Sequence, residues 1–236
     1  MENKTITVPE HIGLIMDGNG RWAQQHGLSR TQGHTKGIEN MMRLLSYAFD
    51  SGVKTATCFA LSTENLKRDK AELDHILSLI GKVFDYFVSV FSQKQVSISY
   101  IGNIQALPEE VQAHMKRTED ALSAYAHTGK KLYVAIAYGG RDEIIRAVNR
   151  AVENQTPVTE EEFLSMLSVP VEPDLLIRTG GERRMSNFLL YQASYSELYF
   201  SDKMFPDFSI ADLKEAFNWY ASRKRKFGLV TDCICE

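Results

Sequence analysis

The chain has 236 residues, 44% apolar and 24% charged, the make-up of a globular protein long enough to bury a substantial core. Its net charge of −3 argues against nucleic-acid binding, which needs a strongly basic face. No apolar run approaches the ~18 residues of a membrane span, the opening MENKTITVPE lacks the apolar segment of a secretion signal, and Cys58, Cys233 and Cys235 make a poor disulfide framework, so a cytoplasmic location is expected.

Short β-rich runs alternate with longer helical patterns. A strand is expected at 11–16 (HIGLIM), and it breaks into Asp-Gly-Asn-Gly-Arg-Trp at 17–22. Gly18 and Gly20 permit positive φ and close approach of a ligand. Consecutive N–H groups at such a corner suit an anion, the more so beside a helix start. Arg21 adds a cationic donor, with Arg30 and His34 one or two helical turns further on, and Asp17 is suited to ligate the Mg²⁺ that phosphates bring. A tight Asp-Gly turn with a surface arginine explains the hexapeptide equally well. The lysine of a phosphate-binding P-loop is missing.

A helix at 34–50 leads to a strand at 53–61. Ser62, Thr63, Glu64 and Asn65 follow it, then Arg68; helix capping by itself explains that run. Residues 70–92 read as one helix, whose 73–91 stripe (LDHILSLIGKVFDYFVSVF) is apolar at helical spacing and fits an ordinary core helix. Strands at 96–101 and 132–137, helices at 108–127, 141–154 and 159–167, and strands at 174–178 and 197–200 complete the alternation, with a last helix at 210–226. The segment RTGGERRMSNFLL (178–190) carries Arg178 and Arg184, whose forks suit diphosphate oxygens, beside paired glycines; a solvated basic loop is the bland alternative. Glu197 opens the last strand as either a metal carboxylate or an edge charge.

The pattern predicts a single α/β domain over 1–236: a mostly parallel six-stranded sheet flanked by helices. Ligands of such sheets bind beyond the carboxyl ends of the strands. The clusters 17–22, 62–68, 138–141 and 178–186 all fall there and describe one rim.

HIGLIMDGNGRWA, GHTKG, STEN, AYGGRDEI, DLLIRTGGERRMSNFLLYQASYSELYF, FPDF and RKRKFG, spread over residues 11–228, closely resemble the cis-prenyltransferase (undecaprenyl diphosphate synthase) family in content and order. The aspartate-rich motif of the all-helical prenyl transferases is absent. The resemblance implies Mg²⁺-dependent, sequential cis condensation of isopentenyl diphosphate onto an allylic diphosphate, with farnesyl diphosphate the expected primer. A long polyprenyl diphosphate, undecaprenyl diphosphate, is the expected product; a short-chain or atypical terpenoid diphosphate is the alternative. Asp17 would meet the Mg²⁺–diphosphate of the allylic substrate. Gly18, Asn19, Gly20 and Arg21 would cradle it, with Trp22, Arg30, His34 and Arg68 alongside. Ser62, Thr63 and Glu64 would border the allylic chain, and Asn65 would help remove the proton. Arg178, Arg184, Met185 and Ser186 would hold isopentenyl diphosphate, and Glu197 would be a metal ligand supplied across a homodimer. The family also implies that the 73–91 helix lines a hydrophobic tunnel, that the RKRKFG tail reaches the partner's site, and that product release involves peripheral membrane contact. Three positions depart from the family pattern: Leu61 for phenylalanine, Leu66 for tryptophan and Ala137 for asparagine. With Phe84, Phe87 and Phe91 in the stripe, they put chain length and primer preference in question.

Overall fold

The apolar runs become six strands in the computed structural model of the protein, which describes residues 7–225 apart from 68, 83 and 156: β1 (His11–Ile15), β2 (Thr55–Ser62), β3 (Ser97–Ile101), β4 (Lys131–Tyr138), β5 (Leu175–Arg178) and β6 (Glu197–Phe200). They form one sheet in the order β3-β4-β2-β1-β5-β6, and each neighbouring pair is parallel. The sheet is therefore wholly, rather than mostly, parallel. Helices join the strands up to β5, namely α1 (Asn19–Gln25), α2 (Arg30–Asp50), α3 (Lys70–Lys82), α4 (Phe84–Lys94), α5 (Glu109–Leu122), α6 (Gly140–Glu153) and α7 (Glu160–Met166); an irregular segment over 179–196 joins β5 to β6, and α8 (Ile210–Ala221) follows the last strand.

Helix boundaries moved where local chemistry decided them. α2 begins four residues before the expected start because Ser29 and Gln32 form a reciprocal capping box. The stretch read as a helix over 70–92 is helical over Lys70–Lys82 (α3) and Phe84–Lys94 (α4); Val83, between them, lies outside the described residues. The helix expected over 210–226 ends at Ala221; residues 226–236, with Cys233, Cys235 and the end of the RKRKFG tail, lie outside the described residues. The short α1 was not read from the sequence as a helix of its own.

Alternation along the strands divides the core. Leu14, Cys58, Ile98, Val134 and Ile177 face one side, against Leu45, Phe49, Phe91, Met115 and Phe217 of α2, α4, α5 and α8. Ile15, Ile101, Ala135 and Leu176 face the other, against Phe188 and Leu189. A parallel sheet apolar on both faces must be covered on both, and a fully buried side chain such as Phe91 or Leu45 contributes about 1.5–3 kcal/mol. Among the described residues no helix is long and apolar enough to cross a membrane.

Candidate active site

From β1 the sheet grows through β2 in one direction and through β5 and β6 in the other, so the crevice beyond the carboxyl ends of β1 and β5 is the topological switch point, where such sheets bind ligands. β1 delivers Asp17 there and β5 delivers Arg178. Arg178 Nη2 donates to Asp17 Oδ2 at 2.9 Å, and Arg21 Nη2 donates to Oδ1 at 3.2 Å. The Arg178 side chain is only 6% exposed, against 31% for Asp17, so the carboxylate is the part of the pair that meets the crevice. Arg178 Nη1 donates to Ser186 Oγ at 2.7 Å and to the Arg184 carbonyl at 2.5 Å, which ties the 178–186 segment to the pair.

The Asp17 backbone is pinned as firmly. Its carbonyl accepts from Thr179 Oγ1 at 2.8 Å and from the Phe205 N–H at 3.1 Å. Gly18 caps α1 in the left-handed region at φ 108°, with no side-chain acceptor for the first helical turn. Gly180, at φ +84°, passes so close that a Cβ would stand 2.7 Å from Arg21 Nη2 and 3.0 Å from the Asp17 backbone. Glycine at both places is what lets the corner close.

Asn19 donates through Nδ2 to the Met16 carbonyl at 3.2 Å, and its Oδ1 is buried with no donor among the described residues. Arg30 Nε and His34 Nε2 both reach Glu72 of α3, each at 3.2 Å. Trp22 lies on the flank, its Nε1 donating to Asp207 Oδ1 at 2.8 Å. Near the end of β2 the register with β4 slips between Phe59 and Ser62, a bulge of the kind that re-aims side chains beside active sites. Ser62 and Asn65 then cap one another: Ser62 N–H to Asn65 Oδ1 at 3.2 Å, Asn65 N–H to Ser62 Oγ at 3.1 Å. The capping explanation of this run is therefore true, and it sets the Asn65 side chain in the crevice wall. Thr63 Oγ1 donates to Glu64 Oε2 at 3.1 Å. Burial pushes the Glu64 carboxyl up, but hydrogen bonds from its own N–H, Ser62, Asn187 and Thr63 outweigh that and hold it below the ordinary glutamate value. Arg68 lies outside the described residues.

Ser186, Asn187 and Leu189 adopt φ of 50°, 66° and 43°, a cluster of left-handed non-glycine residues of the kind found at functional sites. Asn187 holds the turn in place. Its carbonyl accepts from Gly140 N–H at 2.7 Å, its Oδ1 accepts from Arg141 N–H at 2.9 Å, and its Nδ2 donates to Glu64 Oε1 at 3.0 Å. Sequence reasoning passed over Asn187, although asparagine tolerates this backbone region best among side-chain-bearing residues. Glu72 and Thr179 were missed too, because their partners lie far away in sequence. Arg184 is half-exposed and pairs with Glu182, and Met185 packs on the second core cluster.

These residues frame a cavity of about 350 Å³ whose walls include Asp17, His34, Ser62, Asn65, Arg178 and Ser186. An apolar cavity of about 100 Å³ adjoins it, sharing Met16, Phe59, Leu61 and Ile76, and reaches Leu77, Leu79 and Phe87 of α3 and α4. The helical stripe over 73–91 thus contributes to a cavity wall as well as to the core; Val83 and the side chains of Ile80 and Phe84 lie outside the described ones.

Glu197 stands apart. It pairs with Leu175 at the start of β5, while the rim residue Arg178 pairs with Phe200, so it occupies the opposite edge of the sheet from Asp17. Its carboxylate accepts from Arg223 Nε at 3.2 Å. Among the described residues no three His, Cys, Asp or Glu gather to hold a metal. Among the described residues that line the crevice, Asp17 is the one carboxylate, which fits Mg²⁺ because that ion typically takes one or two carboxylates and completes its shell with substrate phosphates and water.

A parallel α/β sheet that carries an arginine-clasped carboxylate at its switch point, above an apolar cavity, has the anatomy of an enzyme for ligands with an anionic head and an apolar tail. Residues 15–228 match the family profile described as "Putative undecaprenyl diphosphate synthase". The chain is 41% identical over 231 residues to an isoprenyl transferase of Aquifex pyrophilus, covering 97% of this chain and 99% of that one. It is 40% identical over 232 residues to the ditrans,polycis-undecaprenyl-diphosphate synthase ((2E,6E)-farnesyl-diphosphate specific) of Micrococcus luteus, covering 94% and 92%. The crystal structure of lavandulyl diphosphate synthase from Lavandula x intermedia, in complex with dimethylallyl diphosphate, superposes with a TM-score of 0.88 at 34% identity, covering 94% of this chain and 99% of that one. The chain belongs to the cis-prenyltransferase (undecaprenyl diphosphate synthase) family and is an isoprenyl transferase.

Proposed function

We propose that the protein condenses isopentenyl diphosphate with an allylic diphosphate, farnesyl diphosphate in the first instance, in repeated cis additions that need Mg²⁺ and yield a long polyprenyl diphosphate, undecaprenyl diphosphate. The observation that carries this reading is the Asp17 carboxylate, clasped by Arg178 and Arg21 over the apolar cavity.

Arg21, Arg30 and His34, with the backbone of Gly18, Asn19 and Gly20, hold the allylic diphosphate, flanked by Trp22 and Arg68, while its tail enters the apolar cavity past Ser62, Thr63 and Glu64. Arg178, Arg184, Met185 and Ser186 hold isopentenyl diphosphate. Asp17, with diphosphate oxygens and with Glu197 supplied across a homodimer, would hold Mg²⁺, which when bound neutralises charge on the departing diphosphate. As the allylic C–O bond breaks, negative charge grows on that leaving group. The fixed arginines stabilise it more than they stabilise the bound substrate, and this difference lowers the barrier. The new carbon–carbon bond forms at the isopentenyl double bond, which then sheds one proton. An amide is a poor base, so Asn65 orients the groups and the released diphosphate takes the proton.

A second reading, a short-chain or atypical product, is favoured by one observation. The Phe87 ring stands in the wall of the apolar cavity, where it narrows the space open to a growing tail.

Incubation of the full chain with farnesyl or dimethylallyl diphosphate, radiolabelled isopentenyl diphosphate and Mg²⁺, with products sized by chromatography, tests both. A polyprenyl ladder supports the first reading and a product of one or two additions the second. Absence of incorporation refutes both.

A further inference from the structure

Two of the rim clusters are joined by a side-chain hydrogen bond. Asn187 Nδ2 donates to Glu64 Oε1 at 3.0 Å across 123 positions of sequence. Glu64 opens the 3-10 turn Glu64–Lys67, none of whose residues is buried, so little core packing holds that turn. Its Asn65 is tied to Ser62, and both residues line the crevice. Asn187 follows Ser186, whose Oγ accepts from Arg178 Nη1 at 2.7 Å. Left-handed backbone is unfavourable for residues with a Cβ, so the 186–189 turn also depends on ties from outside. The chain just beyond β4 presses on the contact: a Cβ on Gly139 would stand 2.7 Å from Asn187 Nδ2 and 2.8 Å from Thr63 Oγ1. The direction of the bond is fixed as well. Asn187 Oδ1 already accepts from Arg141 N–H, and the Glu64 carboxyl, held below the ordinary glutamate value, only accepts near neutral pH.

We propose that the Glu64–Asn187 hydrogen bond is a latch between the two substrate subsites: an allylic diphosphate that orders residues 62–67 thereby orders the 186–189 turn, and isopentenyl diphosphate then binds more tightly. This rests on the prenyl-transfer reading above. Asn187 is a positioning residue here, acting through Ser186 and Arg178. A ligand that has already ordered a shared element spares the next ligand that cost. By linkage, isopentenyl diphosphate tightens the allylic diphosphate by the same factor. The isopentenyl side is thus fully formed only when there is a chain to extend.

The test measures binding of radiolabelled isopentenyl diphosphate to the full chain by equilibrium dialysis with Mg²⁺, with and without farnesyl thiodiphosphate, whose carbon–sulfur bond resists cleavage. The parent is expected to bind about tenfold more tightly when the analogue is present, within the usual range of such couplings. Asn187→Asp tolerates the same backbone region and still accepts from Arg141 N–H, but it sets two carboxylates against each other, and the factor should fall toward 1. The double variant Asn187→Asp/Glu64→Gln exchanges donor and acceptor, and the factor should return. Thermal melts establish that each variant is folded; if Asn187→Asp is not, Glu64→Ala, which removes the acceptor, decides. A folded variant that keeps the parental factor overturns the latch, and so does a folded double variant that fails to regain it. A folded variant that loses one ligand outright also overturns it, because the residue is then a contact and not a coupler. A parent that shows no coupling yet incorporates label from isopentenyl diphosphate with farnesyl diphosphate overturns the latch and leaves the transferase reading standing. A parent that incorporates no label overturns both.

Discussion

Replacing Asp17 with asparagine keeps the shape of the side chain and removes its charge. One oxygen still accepts from an arginine, but the new amide group points a donor at the other guanidinium. The Arg178 side chain, 6% exposed, then loses its counter-charge. Removing one partner of a buried ion pair costs about 3–5 kcal/mol. Here the surviving acceptor, and the 31% exposure of Asp17, bring the expected loss to about 2 kcal/mol. For a chain of this size that lowers the melting temperature by about 4–8 °C. Turnover should fall much further, by about 10²–10³ in kcat, because the carboxylate is lost where charge develops. Calorimetry measures the first quantity, and initial rates of label incorporation at saturating Mg²⁺ the second. An Asp17→Asn variant that melts with the parent, or turns over at the parental rate, refutes the role given to the clasp.

Two further perturbations probe the frame around the site. Burial pushes the His11 imidazole down to about 4, where it meets Thr57 Oγ1 through Nε2 at 2.9 Å. The unfolded chain therefore binds a proton that the folded chain refuses between about pH 6.5 and 4, and stability falls as pH drops through that window. From pH 7 to pH 5 this group removes about 2 kcal/mol; urea unfolding of His11→Asn should show that much less acid sensitivity than the parent, and equal pH slopes would dismiss the explanation. Ala137 is buried at φ 49°, a conformation that costs an alanine about 1–2 kcal/mol. Ala137→Gly should therefore be near neutral, the relieved strain offsetting the lost methyl and the added chain entropy, whereas Ala135→Gly on the same strand should cost about 1–2 kcal/mol; equal losses in chemical denaturation would contradict the strain.

The same backbone angle gives a physical meaning to one departure from the family pattern. Asparagine enters the left-handed region more readily than alanine, so Ala137 is a position where the chain carries strain that the usual residue would ease. Leu61 and Leu66 need no such account. Leu61 lines both cavities and Leu66 packs against the main core, so both positions stay apolar with a smaller side chain and no aromatic surface.

Six strands, the parallel sheet and the four rim clusters were legible in the sequence because their signals are local: β-rich runs, helical spacing, and polar residues where a strand stops. The ties that hold the rim were not, since Arg30 and His34 meet Glu72 and Asn187 meets Glu64 across elements far apart in sequence.

The amino-acid order alone determined which residues could meet at the rim, since strand ends and turns are written in short-range pattern. Tertiary structure decided which of them do meet: Asp17 and Arg178 are 161 positions apart, and only the adjacency of β1 and β5 closes that distance. It also decided the volumes, because an empty space has no sequence of its own and exists only where side chains from several elements fail to fill it.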